Sequence, residues 1–357
     1  MLLYDKVGIL MSRKRYGKRL NRIFMICICL LFGVLTGYAA FNTNVNLKAK
    51  GNVKETNTAE SLKSKVVTSG DGLYLDTTEV DRYIYKGVNP DNYIKLGNDL
   101  YRIISIERDN TLKVVKDKMI SSMVYDSMSS RESSNSSDYC YNDYGNTYYG
   151  CNVWGNKYTM LDKNENNITQ ISGYNLPEKE ATLNTYLNND WYNGLSSDVQ
   201  KLIVPHIFNV GAVSGGNVSL EDSVEREKNY KWKGKIGLIN ATDYVKVSLD
   251  NEKCGTIYLN SNTSSNTSKC VNSNWMYLSF GSNIFVMLTP VSDSRWPVNW
   301  VWINLGAAAS DRTLFGMFDA CSVGGGGYFD IVPSFYLSSD IKFTGNGEKA
   351  TPYVILD

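Results

Sequence analysis

The sequence predicts a mixed α+β domain of short irregular strands, two short helices and long loops, preceded by one transmembrane helix. Three observations predict it. Residues 23–41 form a charge-free apolar run behind a basic flank. Many later segments alternate apolar and polar residues with the two-residue period of strands, and Gly, Asn and Asp turns separate them. Two stretches near the middle of the chain have helical spacing instead.

The apolar run at 23–41 is long enough to cross a bilayer. As a helix rising about 1.5 Å per residue it spans about 28 Å, close to the hydrocarbon thickness of about 30 Å. Residues 1–22 hold seven Lys and Arg against one acid, Asp5, and basic residues remain on the cytoplasmic side. We therefore expect a cytoplasmic tail at 1–22, a signal-anchor at 23–41 and an extracellular remainder in a single-pass cell-membrane protein.

The alternative for the apolar run is a cleaved secretory signal. Residues 37–39 read Gly-Tyr-Ala, a small-x-small site that would release the chain after Ala39. Secretory apolar regions usually hold about 7–15 residues, and this run is longer, which favours the anchor. Cleavage would make the protein secreted rather than anchored.

The segment 42–69 is polar and without periodicity, and we expect a flexible stalk there, followed by one domain at 70–357. Five cysteines follow the apolar run: Cys140, Cys151, Cys254, Cys270 and Cys321. The first two and the next two each bracket a short polar loop, and export exposes them to an oxidising compartment. We predict disulfides Cys140–Cys151 and Cys254–Cys270, with Cys321 free.

The domain begins with strands. Segments 93–96 and 100–107 flank Gly97-Asn98-Asp99 and predict a hairpin. In 100–107 we expect Leu100, Ile104 and Ile106 to face the core, and the opposite face, starting at Tyr101, to be covered only at its start. Helical spacing predicts a helix over 183–195 and a second one over 199–204, capped by 196–198. Later apolar segments, including 275–278 and 284–288, predict buried strands.

Four stretches resemble a known group of proteins. They read GLYLDTTEVDRYIYKGVNPDNYIKLGNDLYRIISIERDNTLKVV, ATLNTYLNNDWYNGLSSDVQKLI, GKIGLINATDYV and VPSFYLSSDIKFTGNGEKATPYVI. They are similar to exported proteins of low-GC Gram-positive bacteria with a domain of unknown function, itself akin to the C-type-lectin-like fold of formylglycine-generating enzymes. The resemblance implies a lectin-like fold over about 70–357. Residues 330–333 read Asp-Ile-Val-Pro and lack the Arg that this group carries before the proline, so no role of that Arg transfers.

Two aromatic stretches are candidate ligand-binding surfaces. Rings give large contact area with few rotatable bonds, and Asn and Ser supply hydrogen bonds around them. The first stretch, 139–158, is too polar to form a core; its candidates are Tyr139, Tyr141, Tyr144, Tyr148, Tyr149 and Trp154. The second stretch, 293–302, offers Trp296 and Trp300. For Trp300 the alternative is a core position, because it alternates with Trp302 in a predicted strand.

No catalytic signature is present. A Ser-His-Asp triad would need His206, the single histidine, and no G-x-S-x-G motif supplies its nucleophile. The cysteines lack C-x-x-C spacing, so we predict no metal site and no cofactor. The net charge of +1, with no basic patch beyond the N-terminal flank, excludes a nucleic-acid partner. We expect a non-catalytic domain that binds a glycan or a protein; the alternative is a secreted or surface-attached hydrolase or modifying enzyme.

Overall fold

A computed structural model describes the chain from residue 56 to residue 356 with gaps. The described residues are 56–127, 131–141, 150–213, 218–250, 254, 270, 272–280, 284–293, 300–303, 316–319 and 329–356. Their fold is mixed α+β, as predicted. Within these ranges no helix is long and apolar enough to cross a membrane, and the predicted signal-anchor at 23–41 lies outside them.

Short strands dominate the fold, and every helix in the described ranges is short. The strands are β1 (Gly72–Leu75), β2 (Tyr83–Lys86), β3 (Tyr93–Leu96), β4 (Asp99–Ile106), β5 (Leu112–Lys116), β6 (Ser122–Met123), β7 (Met160–Asp162), β8 (Gln170–Ile171), β9 (Tyr174–Asn175), β10 (Ile203–Val204), β11 (His206–Asn209), β12 (Tyr230–Gly234), β13 (Ile236–Gly237), β14 (Val286–Pro290), β15 (Trp300–Ile303), β16 (Gly316–Asp319), β17 (Phe329–Asp330), β18 (Ser334–Leu337), β19 (Phe343–Thr344) and β20 (Tyr353–Ile355). The helices are α1 (Ala59–Lys63), α2 (Thr182–Tyr186), which continues as a π-helical turn (Leu187–Trp191), α3 (Ser197–Leu202), α4 (Leu220–Glu227), α5 (Ala241–Lys246) and α6 (Trp275–Phe280).

The largest sheet has the strand order β10–β18–β5–β4–β3–β20–β19. Strand β2 joins it through β4, β1 pairs with β2, and β13 pairs with β18. Its pairings are antiparallel except that between β3 and β20. Smaller sheets are β11–β12–β7, β14–β15–β16, β6–β17 and β8–β9. The predicted hairpin is confirmed: β3 and β4 are joined by a tight turn in which Gly97 has a φ of +58°.

The central sheet carries a buried apolar cluster on each face. In β5, Leu112 and Val114 belong to one cluster and Val115 to the other. In β4 every residue from Tyr101 to Ile106 is buried, so the expectation that one face is covered only at its start is wrong. A register shift between Ile103 and Ser105 moves Ile106 onto the face of Tyr101. The apolar and polar residues of β4 do not alternate between a buried and an exposed face, because both faces of the strand pack against other elements.

Three further expectations are corrected. Residues 56–69, expected in the stalk, belong to the folded domain: Ala59 and Leu62 of α1 are buried and Asn57 pairs with Phe343.

The segment 275–278 is helical rather than extended, because Asn274 caps the start of α6 by accepting from the Tyr277 N–H. A short apolar run cannot distinguish a buried strand from a buried helix. Helices α4 and α5 are additional to the two predicted ones. Those two form at α2 with its π-helical turn and at α3, but the first ends at Trp191 rather than 195, and residues 203–204, expected in the second, are strand β10.

Candidate functional site

Tyr139 and Trp154, two of the predicted ligand contacts, are buried in the core. Each has 1% of its surface exposed. The Tyr139 hydroxyl donates to the Ser292 carbonyl oxygen at 3.3 Å, and the Trp154 ring packs edge-on against Trp232 with centroids 6.0 Å apart. The prediction that these two rings contact a ligand is therefore wrong. Large aromatic rings gain the most free energy when they leave water, and Tyr139 and Trp154 both point into the core.

The other predicted contacts lie in different parts of the chain. Tyr141 is half-buried and pairs with Ser133 through an isolated backbone bridge. Trp300 begins β15, where it pairs with Asp319 of β16. Four candidates lie outside the described residues: Tyr144, Tyr148, Tyr149 and Trp296. For these four, for Tyr141 and for Trp300, ligand contact stays a prediction.

Both predicted disulfides are confirmed. Cys140 and Cys151 are bonded with their Cα atoms 5.5 Å apart, and Cys254 and Cys270 with theirs 5.4 Å apart. Cys321 lies outside the described residues. Each bridge closes a local loop, so the cysteine spacing was enough to find it.

A buried ion pair holds the chain around Cys151. The Arg131 guanidinium donates to Asp126 Oδ1 at 3.1 Å and to the carbonyl oxygens of Cys151 and Val153 at 2.7 Å each. Asp126 Oδ2 accepts from the Cys151 N–H at 2.9 Å. Both charged side chains are fully buried. No spacing in the sequence connects Arg131 with Asp126, so this pair was not predicted.

An open depression of about 830 Å³ lies beside this disulfide. Its lining residues lie within 131–140, 157–158 and 167–179, and we call it the polar groove. Arg131, Cys140 and Leu176 are buried lining residues, whereas Tyr158 and Glu178 are exposed. The volume falls within the roughly 300–1,000 Å³ typical of ligand sites.

Tyr158 is the most exposed aromatic side chain among the described residues, with 66% of its surface accessible. Its hydroxyl donates to Glu178 Oε2 at 3.0 Å, and the Lys157 ammonium pairs with the other oxygen of Glu178. The Lys157 nitrogen also lies 5.0 Å from the centre of the Tyr158 ring. These contacts orient an exposed ring at the groove. Tyr158 closes the aromatic stretch that the sequence singled out, but it was not among the named contacts.

The charges of the polar groove balance. Its basic lining residues are Arg131, Lys157 and Lys179, and its acidic ones are Glu132, Asp138 and Glu178. The remaining polar lining is neutral amide and hydroxyl, contributed by Ser133, Asn167, Thr169 and Asn175. A balanced lining has no preference for a strongly charged ligand. It suits an uncharged molecule that carries many hydrogen-bonding groups.

A second cavity, of about 230 Å³, lies against α5 and is lined by charged side chains. We call it the charged cavity. At its wall, Arg82 donates to Asp243 Oδ1 at 2.8 Å, to Asp76 Oδ2 at 2.8 Å and to Glu107 at 3.1 Å. Lys113 bonds the other oxygen of Asp243 at 2.7 Å. These charges satisfy one another inside the protein.

The paired acids of this network ionise easily despite burial. Burial alone would raise the pKa of Asp243, but the charges of Arg82, Lys113 and Lys246 outweigh it and hold that pKa well below its usual range. The pKa of Asp76 is lowered in the same way, by Lys246 and Arg82 against burial. Both acids are therefore carboxylates at neutral pH.

Glu227 lines the same cavity and behaves in the opposite way. Burial raises its pKa to about 7, against the lowering effect of hydrogen bonds from Thr242 and Thr289. The Thr289 hydroxyl donates to Oε1 at 2.5 Å, the Thr242 hydroxyl donates to Oε2, and the Thr242 N–H donates to Oε1 at 3.3 Å. Both oxygens are thus occupied by α5 and β14. This carboxyl group ties the end of α4 to those elements.

His206 also lines the charged cavity. Its ring stacks on Tyr336 with centroids 3.8 Å apart, and Nε2 lies 3.3 Å from the Thr111 hydroxyl and 3.4 Å from Asp109 Oδ2. Among the described residues, Thr111 is the hydroxyl recorded within hydrogen-bond distance of the ring. Across the described ranges, no group of three His, Cys, Asp or Glu side chains is placed to hold a metal ion.

No family model, curated protein or solved structure matches this chain.

Proposed function

We propose that this chain is a single-pass cell-surface protein whose extracellular domain binds an uncharged glycan in the polar groove. The observation that carries the proposal is the groove itself: about 830 Å³ beside the Cys140–Cys151 disulfide, with Tyr158 exposed on its lining. Sugars present apolar C–H faces and many hydroxyl groups. An exposed ring surrounded by amides and hydroxyls complements both features.

Rigidity supports binding at this groove. The disulfide and the buried Arg131–Asp126 pair hold Cys140, Cys151 and Val153 in place before any ligand arrives. Asp138 accepts from the Asn175 side chain at 3.1 Å and so links two walls of the groove. A site that is already ordered loses less conformational entropy on binding.

The proposed location follows from the basic flank and apolar run at 1–41 together with the two disulfides, which persist in oxidising compartments. The proposed architecture is C-type-lectin-like. It is supported by the resemblance of residues 70–357 to the exported proteins named above and by the mixed α+β fold. Protease treatment of intact cells is expected to remove the domain after residue 41. Complete protection would contradict this location.

The alternative is a secreted or surface-attached enzyme. The observation that favours it is Glu227, whose pKa of about 7 suits proton transfer and which lines a cavity. Against it, both oxygens of Glu227 are bonded to Thr242 and Thr289, and the charges around it are paired. Tyr158 also has protein partners, but 66% of its surface stays accessible to a ligand, so we favour binding.

The test is an oligosaccharide array probed with the purified full-length protein, covering uncharged oligomers of glucose, galactose and N-acetylglucosamine. Tyr158→Ala is expected to weaken the strongest interaction at least about tenfold, or about 1.4 kcal/mol. Tyr158→Phe keeps the ring and should bind nearly as the wild type does. Leu75→Ala, at a residue 51% exposed and outside the groove, is the matched control and should bind normally. Failure of every uncharged sugar to bind would overturn the proposal.

A further inference from the structure

A buried lysine and a buried asparagine lie in contact within the charged cavity. Lys113 of β5 donates from Nζ to Asn240 Oδ1 at 2.9 Å, and to Asp243 Oδ2 at 2.7 Å. The exposed fractions of Lys113, Asn240 and Asp243 are 2%, 3% and 4%. The rings of Phe208 and Tyr336 flank the ammonium, with centroids 5.7 and 5.5 Å from Nζ. An amine, a carboxamide and a carboxylate are thus enclosed together away from water.

We propose that Lys113 and Asn240 join in an intramolecular amide bond, with Asp243 as the group that moves the proton. The bond would link β5 to the residue that precedes α5, across 127 positions of sequence. It is a covalent modification of the fold and is independent of the glycan site proposed above.

The reaction balances without any other reactant. Asp243 Oδ2 takes a proton from the Lys113 ammonium, and the resulting amine attacks Cγ of Asn240. As the C–Nδ2 bond breaks, the proton passes from Asp243 to Nδ2, which leaves as ammonia. The second proton lost by Nζ is carried off by that ammonia as ammonium. The product is a secondary amide that retains Oδ1 of Asn240.

Neighbouring groups hold the reactants in place. Arg82 occupies the other oxygen of Asp243 at 2.8 Å, which directs Oδ2 at Lys113. The Asn240 amide donates from Nδ2 to the Asn209 carbonyl oxygen at 2.7 Å, which fixes its plane. Holding reacting groups in contact replaces an encounter with a unimolecular step. Because Arg82 and Lys246 also stabilise the Asp243 carboxylate, proton transfer from Lys113 is unfavourable, and the bond forms slowly, once per molecule.

The test is peptide mapping of the full-length protein after denaturation, reduction of both disulfides and trypsin digestion. Trypsin cannot cut after an acylated lysine, so the linked product joins residues 109–116 to residues 236–246 and is lighter than their sum by one ammonia. The expected result is this branched peptide in the wild type, with the free 109–113 peptide depleted. Asn240→Ala, which lacks the acceptor, should release the free peptide.

Asp243→Asn tests the proton carrier and should also leave the two peptides unlinked. Because Asp243 belongs to the ion network, circular dichroism must show that the variant is folded. If Asp243→Asn is unfolded, the presence or absence of the branched peptide in the wild-type digest tests the proposal without this variant. Wild-type protein that yields both peptides unlinked after prolonged incubation would overturn the proposal, and so would a branched peptide that persists in Asn240→Ala.

Discussion

The charged cavity and the polar groove use the same kinds of side chain in opposite ways. In the cavity, Arg82 and Asp243 are about 5% exposed and pair with each other at 2.8 Å. In the groove, the Lys157–Glu178 pair is 31% and 66% exposed. Removing one buried charge leaves its partner uncompensated in a poorly polarisable interior, whereas water replaces a lost partner at the surface. The charged side chains of the cavity therefore stabilise the fold, whereas those of the polar groove remain available to a ligand.

The largest effect that separates the two regions is expected for Arg82→Met. The substitution keeps most of the volume but leaves Asp76, Glu107 and Asp243 without the guanidinium that they share. Breaking a buried ion network of this kind costs about 3–5 kcal/mol of unfolding free energy. Urea denaturation followed by tryptophan fluorescence measures it.

Lys201→Met is the control for Arg82→Met. Lys201 pairs with Asp198 on the surface, with exposed fractions of 75% and 87%, and its loss should change the unfolding free energy by less than about 0.5 kcal/mol. Equal effects of the two substitutions would show that burial does not distinguish the regions.

The next effect is a pH dependence of stability carried by Glu227. Its folded-state pKa of about 7 lies above the ordinary value of 4.5, so between these pH values the folded chain holds a proton that the unfolded chain has released. The stabilisation from this proton is thus fully present below pH 4.5 and is lost as the pH rises to about 7, a total of about 3 kcal/mol. Glu227→Gln should remove most of the fall between pH 5 and 8, measured by urea midpoints.

The opposite sign is expected from the acids that pair with Arg82. Since the pKa values of Asp76 and Asp243 are lowered in the folded state, their stabilisation is present above about pH 4 and lost as the pH falls. A window of pH 5 to 8 therefore separates the effect of Glu227 from that of these two acids. If the wild type and Glu227→Gln lose stability equally across that window, another group carries the dependence.

The parts of the fold that the sequence predicted are those with local signals. Gly97 and Asn98 mark the β3–β4 hairpin, and the spacing of Cys140 and Cys151 marks a disulfide, because the interacting residues are close in sequence. The charged cavity has no such signal. Arg82 meets Asp243 across 161 positions, and only the folded topology of β2, β4 and α5 brings them together.

Arg102 shows the same limit inside a strand. In the sequence it interrupts the apolar face of β4, yet it is 1% exposed. Its guanidinium lies 4.3 Å from the centre of the Tyr93 ring and 4.2 Å from that of Trp275. Cation–π contacts and hydrogen bonds compensate its burial.

The prediction of ligand contacts in 139–158 was wrong for Tyr139 and Trp154 for a related reason. Composition identifies aromatic rings but not the direction in which each ring points. Tyr139 and Trp154 point into the core, whereas Tyr158 is exposed.

The smallest stability effect is expected in the polar groove. Lys157→Met removes an exposed pair with Glu178 and should leave the urea midpoint nearly unchanged, because water replaces the lost partner. The same substitution should weaken glycan binding, because Lys157 helps to orient the Tyr158 ring. Paired urea denaturation and array binding check this. A large stability loss with unchanged binding would assign the pair to the fold instead.

The most direct test of ligand binding at the polar groove is carboxyl footprinting with and without the best-bound sugar of the array. Carbodiimide labelling followed by mass spectrometry reports which carboxyl groups a bound ligand shields. The expected result is protection of Glu132 and Glu178, with Glu79 and Glu107 of the charged cavity labelled equally in both states. Protection at Glu79 or Glu107, with none at Glu178, would contradict the account and move the binding site to the charged cavity.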